Sequence, residues 1–347
     1  MNKGKAVAYF MAFVIFFILY DILALSTYNN DWDAYEQMYL GVFDSSDFFF
    51  QYLISFANNI GLTYSQFYTV VQLFIYICCI LFYLKFVKRG MILLLGVLLI
   101  VASPNLPILI RYYLAFSIFL LSNITRINGN KTLTCFLLLI AFFTHSAILI
   151  CFPLFFGVWY LEKKRQERIY CKLLALALLI GVIKFFIFDF LTSVGLNVFS
   201  SYTDDVASVS STIFMDCLYF SWFCSCYYIH SKVKKTCSLW YQDKQYMFLY
   251  SSVLYPILFV FISNIMIVQF RLYEPFVIIS LVYMLYAKNK YLNQNIKVIG
   301  LIVCLLFLSF FMKYILLGLM TGGISEWFVH YSEIILSNDR SIILKLI

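Results

Sequence analysis

Apolar runs recur along this chain from Ala6 onward, and short basic clusters separate them. A helix rises ~1.5 Å per residue and needs about twenty residues to cross ~30 Å of hydrocarbon, the length of most of these runs. The chain is 63% hydrophobic and 12% charged, where soluble globular domains carry about 25% charge. The expected class is therefore all-α: a polytopic integral membrane protein forming one transmembrane domain over residues 1–347. The first run, Ala6 to Leu25, ends in Ser26, Thr27 and Tyr28 rather than a small-residue cleavage site. It reads as a retained helix.

Charge gives the expected topology. The basic clusters are Lys3/Lys5, Lys85/Lys88/Arg89, Arg126/Lys131, Lys163/Lys164/Arg165/Arg168, Lys232/Lys234/Lys235/Lys244 and Lys288/Lys290/Lys297. The positive-inside rule puts all of them in the cytoplasm. Asp31, Asp33, Glu36, Asp44 and Asp47 share one outer loop, and Asp204 and Asp205 another. Parity then constrains the paths between clusters. Residues 90–125 begin and end inside, so they cross an even number of times, with the break at "SPNLP", residues 103–107. Residues 132–161 also begin and end inside, which requires a hairpin of two short helices with His145 near its tip. "NIMIVQFRLYEP", residues 264–275, becomes an outer turn between two later helices.

About 11 transmembrane helices follow: 6–25, 64–84, 91–103, 107–125, 132–144, 147–161, 170–190, 213–230, 246–264, 272–287 and 298–317. The N terminus is expected inside. The loops 26–63 and 191–212 and the C-terminal segment 318–347 are expected outside. "DWDAYEQMYL" reads as a helix start with Asp31, Tyr35 and Tyr39 on one face, and residues 47–61 as an amphipathic helix along the interface. Short helices ending inside a bilayer need protein or water around their ends. An outward-facing cavity lined by Arg111, His145 and Arg271 is the expected result.

Several function classes are excluded or disfavoured. Walker, GxGxxG and HExxH motifs are absent, and the ten cysteines include no CxxC pair or zinc spacing. The net charge of +8 is dispersed in clusters rather than gathered in a nucleic-acid-binding stripe. Asp31 and Asp33, two apart on a helix, diverge, so a metal site is not expected, and with those motifs absent no cofactor is expected either.

An intramembrane arginine costs at least ~2.5 kcal/mol to insert, which marks Arg111 and Arg271 for function. Two guanidinium groups on one side suggest an anion, and a bidentate fork suits pyrophosphate. The competing readings are snorkelling to the interface or a structural ion pair, with Glu274 a partner for Arg271. His145 reads as a general base or phosphate donor, or as a hairpin-tip residue bonded to backbone; a guanidinium beside it disfavours a second cation, so it is expected to accept protons. Asp31 is an acid/base or sugar-binding candidate, or a helix N-cap; Asp33 is a weaker one. Tyr35 and Trp32 either stack on sugar rings or join the interfacial aromatic belt. His330 and Arg340 are weak candidates to cap the cavity.

These residues resemble the EpsG-like family of bacterial exopolysaccharide polymerases, relatives in function of Wzy-type O-antigen polymerases. The resemblance rests on Asp31 with Tyr35, on "DFFFQYLISFANNIGLTYSQFYTV", on "IRYYLAFSIFLL", on "FTHSAIL" and on "QFRLYEPF". Tyr112 stands where the family usually has Gln, and Asn30 where it commonly has Gly. The resemblance implies a glycosyltransferase at the outer face of the bacterial inner membrane. Its substrate would be an undecaprenyl-pyrophosphate-linked oligosaccharide taken from the bilayer. Arg111 and Arg271 would hold the pyrophosphate, His145 or Asp31 would act as base, and Asp33, Tyr35 and Glu274 would contact the sugar or acceptor. A chain-length regulator and a flippase of the same pathway are the implied partners, and nucleic acid is not. The alternative is a flippase or exporter of such lipids, for which the internal repeats expected of transporters are missing. A sugar acyltransferase would need its acyl-donor site accessible from the correct face, whereas His145 is expected to face outward, and a non-catalytic assembly subunit does not explain two buried arginines.

Overall fold

In the computed structural model, residues 31–44, 47–87, 109–151, 209–254, 266–292 and 296–310 are described, with isolated helical positions before residue 15 and between 172 and 179. The described residues form nine α-helices and two 3₁₀ turns. Residues 1–149 with 306–347 make one compact unit and residues 150–305 another.

The first unit holds α1 (Trp32–Tyr39), α2 (Phe48–Asn59), α3 (Tyr64–Phe86), α4 (Ile110–Ile127) and α5 (Lys131–Thr144). Helix α3 is long and apolar enough to cross a membrane, about 35 Å at 1.5 Å per residue. It starts with a capping box: the Thr63 side chain accepts from Gln66 N, and the Gln66 side chain accepts from Thr63 N. Helix α4 is enclosed from Tyr112 to Leu120 and packs against both α3 and α5. Thr125 and Thr134 hydroxyls pair at 2.9 Å between α4 and α5. Asn130 caps α5 through Leu133 N. Gly61 and Gly129, at φ +76° and +85°, end α2 and α4 in the left-handed conformation that glycine adopts without strain.

Residues 31–44 and 47–63 are a folded part of this unit. Trp32 lies 5% exposed, its ring 4.7 Å from Tyr64 and 5.0 Å from Tyr68, so it belongs to the core rather than an aromatic belt. Tyr39 Oη donates to Leu62 O at 2.6 Å, Asn58 Nδ2 to Tyr39 O at 3.0 Å, and Tyr64 Oη to Trp32 O at 3.2 Å. These bonds fasten α1 and α2 to the start of α3. The amphipathic α2 turns Phe50, Ile54 and Ala57 inward and packs against α5, while Phe48, Tyr52 and Phe56 stay exposed.

The second unit contains α6 (Val209–Thr236), α7 (Lys244–Leu254) and α8 (Met266–Lys290); α9 (Ile296–Phe310) follows. Helix α6 extends past both ends of its expected span. The turn expected at 264–275 is helical from Met266 on: α8 continues through Pro275. The apolar run before Arg271 carries the helix, and loss of one backbone donor at Pro275 does not end it. Asp243 clasps this unit. Its Oδ1 accepts from Gln245 N and Tyr246 N, and its Oδ2 from Tyr286 Oη, Lys290 Nζ and Tyr291 Oη, each at 2.7 Å. The remaining expected spans, including most of 6–25, 91–103, 147–161 and 170–190, lie outside the described residues.

Candidate functional site

The site lies where α2 begins, α4 begins and α5 ends. Helix α4 opens with Ile110 and Arg111, which puts the guanidinium on its first turn. Helix α5 stops at Thr144, and the backbone of His145 turns extended before the 3₁₀ turn Ser146–Cys151. Thr144 bonds its own helix at Ile140 O. The chain thus delivers His145, from the end of α5, beside the start of α4.

The two do meet, through a third residue. Asp47 Oδ2 accepts from Arg111 Nη1 at 2.9 Å and lies 2.9 Å from His145 Nδ1. The Ser146 backbone N–H also donates to this carboxylate. Asp47 is 7% exposed, His145 13% and Arg111 25%, so the carboxylate is the deepest of the three. Burial alone pushes the Asp47 carboxyl up, but His145, Arg111 and the Ser146 N–H outweigh it and hold the carboxyl below its usual range. With Nδ1–H donating to Asp47, Nε2 is the ring nitrogen left to accept a proton. The negative charge of Asp47 lies between the two groups that were expected to repel each other directly.

Aromatic side chains frame this centre. The Arg111 guanidinium carbon sits 5.5 Å from the Tyr35 ring centroid, and the Tyr35 phenol also hydrogen-bonds Arg111. Burial raises the Tyr35 phenol, Arg111 opposes that rise, and the nearby Asp31 adds to it. Tyr112 presents its ring edge-on to His145, 6.1 Å between centroids. Phe48, next to Asp47, meets Phe143 of α5 at 6.4 Å.

Of the residues expected to form the site, Arg111, His145 and Tyr35 come together. Asp31 occupies the N-cap position of α1, but its side chain makes no capping bond; it lies close enough to act on Tyr35. Asp33 is exposed on the first turn of α1. Arg271 and Glu274 lie three apart on α8, in the second unit. His330 and Arg340 lie outside the described residues. Among the described residues, no three of His, Cys, Asp and Glu gather in a way that would hold a metal ion.

Asp47 was missed. It is one of five loop acids by composition, and nothing local sets it apart from Asp31 or Asp44. The usable signal was its position: an acid directly preceding the apolar start of a helix, Phe48–Phe49–Phe50.

The EpsG family matches residues 8–331, nearly the whole chain. Comparison with curated proteins gave no match, and neither did comparison with solved structures. The chain belongs to the EpsG family.

Proposed function

From membership of the EpsG family, we propose that this chain is a polysaccharide polymerase of the bacterial inner membrane. The family points to a polymerase-like role in polysaccharide synthesis, and together with the apolar helix α3 it points to a membrane protein. The finer reading is a polyprenyl-diphosphate-dependent glycosyltransferase with about 11 crossings, its N terminus cytoplasmic and its site facing the periplasm. It joins oligosaccharide repeat units carried on undecaprenyl pyrophosphate, for O-antigen, capsule or exopolysaccharide.

One observation carries this reading: Arg111, on the first turn of α4, and His145, just past the end of α5, converge on a single carboxylate oxygen. A site that gathers a guanidinium, an imidazole and a backbone N–H around one carboxylate has the donors that a pyrophosphate group needs. In the proposed reaction, the bond between the sugar anomeric carbon and the pyrophosphate oxygen of the growing chain breaks. An acceptor hydroxyl on the next carrier-linked unit forms the new glycosidic bond, and its proton passes to His145 Nε2. Negative charge grows on the departing pyrophosphate, where Arg111 stabilises it more strongly than in the ground state. Arg271 is the proposed second guanidinium. Tyr35, Asp31, Asp33 and Glu274 are proposed contacts for sugar or acceptor. The chemistry uses side chains of this chain alone.

The test is chain length in cells carrying single substitutions. Arg111→Ala and Arg271→Ala should abolish polymer while leaving protein level and single-repeat product intact. Arg→Lys should be nearly as poor at either position, since a point charge lacks the fork. Full-length polymer from both lysine variants would refute the pyrophosphate assignment.

A further inference from the structure

Asp47 stands at an N-cap position without capping. Its φ of −92° and ψ of 103° are the extended backbone that N-caps adopt, and its carbonyl accepts from Gln51 N at 3.0 Å, the first bond of α2. Aspartate is favoured there because its carboxylate accepts from the second or third helical N–H, here Phe49 or Phe50, and because the helix dipole favours negative charge. The Asp47 side chain makes no such bond. It reaches away to Arg111 Nη1 and His145 Nδ1, and one oxygen serves both. With Ser146 N–H added, the carboxylate occupies a set of donors suited to a phosphate oxygen.

Building on the reading of Arg111 and His145 as a pyrophosphate site, we propose that Asp47 is a displaceable internal ligand of that site. In the substrate-free chain its carboxylate fills the anion position between Arg111 and His145; an arriving pyrophosphate takes that position, and Asp47 turns to cap α2. The backbone at Asp47 already has the cap conformation, so the change is a side-chain rotation and needs no hinge. Two anions do not share the cradle without mutual repulsion, which drives the carboxylate out. The cap gives it a second set of donors, so displacement does not strand a charge. Return of Asp47 to Arg111 and His145 then competes with the spent carrier pyrophosphate and favours its release after each transfer. Asp47 is thus a regulator of occupancy rather than a group that touches the reacting sugar.

Asp47→Asn keeps shape and capping ability and removes the charge. The purified full-length variant in micelles should bind inorganic pyrophosphate about tenfold tighter than the unsubstituted protein, equivalent to about 1.4 kcal/mol. Polyprenyl pyrophosphate should gain by a similar factor, because the pyrophosphate is the shared competitor. Asp47→Ser, which caps but forms no ion pair, should behave alike and serves if the asparagine variant fails to fold. In the unsubstituted protein, added pyrophosphate should slow amide hydrogen exchange at Phe49 and Phe50 as the cap forms. Affinity in both variants equal to or below that of the unsubstituted protein, with binding still abolished by Arg111→Ala, would overturn this inference and leave the site reading standing. A gain confined to polyprenyl pyrophosphate would also overturn it. Absence of pyrophosphate binding in folded unsubstituted protein and in both variants would overturn the site reading together with the inference.

Discussion

Substituting Arg111 by Gln removes the charge facing Asp47 and keeps much of the side-chain length. The carboxylate left behind is only 7% exposed and retains His145 and the Ser146 N–H as donors. At ~4 Å and an effective dielectric constant near 20, two unit charges attract by about 4 kcal/mol, a ceiling rather than a net contribution. Breaking a fully buried pair costs about 3–5 kcal/mol, and an exposed pair about 0–1. Arg111 is 25% exposed, so Arg111→Gln should cost about 2–3 kcal/mol, interpolated between those limits. Asp47→Asn should cost less, about 1–2 kcal/mol, because a part-exposed guanidinium can turn toward water whereas the deeper carboxylate cannot. The double variant should be more stable than Arg111→Gln alone, since it strands no carboxylate, which requires a coupling larger than the cost of Asp47→Asn, about 2–3 kcal/mol. The assay is denaturation in mixed micelles, with amide exchange at residues 144–148 and 48–51 as the local readout. Arg111→Gln no worse than Asp47→Asn, or strictly additive effects, would refute the claim that Asp47 and Arg111 form the buried pair at this site.

Two further outcomes follow from the carboxylates. Asp47 has its carboxyl lowered in the folded chain, so its contribution to stability disappears as pH falls from the unfolded value near 3.9 through the folded value; the stability gap between the unsubstituted protein and Asp47→Asn should therefore close as pH falls below ~4, and a gap that persists or widens there would contradict this. Asp243→Ala removes the cap of α7 and the acceptor for Tyr286, Lys290 and Tyr291, so it should destabilise the second unit by about 2–4 kcal/mol, read as faster amide exchange at residues 244–250 with little change at 144–148.

Much of the helical layout was legible because period and punctuation are local. The run expected at 64–84 is α3 over 64–86, opened by Thr63 and Gln66. The helix expected at 132–144 is α5 over 131–144, and His145 falls at its end. Residues 47–61 hold α2, although hydropathy did not tell which apolar side faces inward, since Phe48 and Tyr52 resemble Phe50 and Ile54 in composition. The turn expected at 264–275 came from counting crossings between basic clusters, which does not see that residues from Met266 on continue as one helix through Pro275. Arg111 and His145 were legible because a polar group inside an apolar run is costly and so conspicuous. Asp47 was not, because an acid in a polar loop costs nothing, and its pairing with residues 64 and 98 positions away leaves no periodic trace.

The most direct test of the account is chain growth from a purified lipid-linked repeat unit by purified protein in proteoliposomes, with and without EDTA. The unsubstituted protein should extend the chain equally in both, His145→Ala should eliminate extension, and Asp31→Asn should only lower it. Near-normal extension by His145→Ala, or loss of extension in EDTA that a divalent ion restores, would contradict the proposed proton acceptor and the metal-free pyrophosphate site respectively.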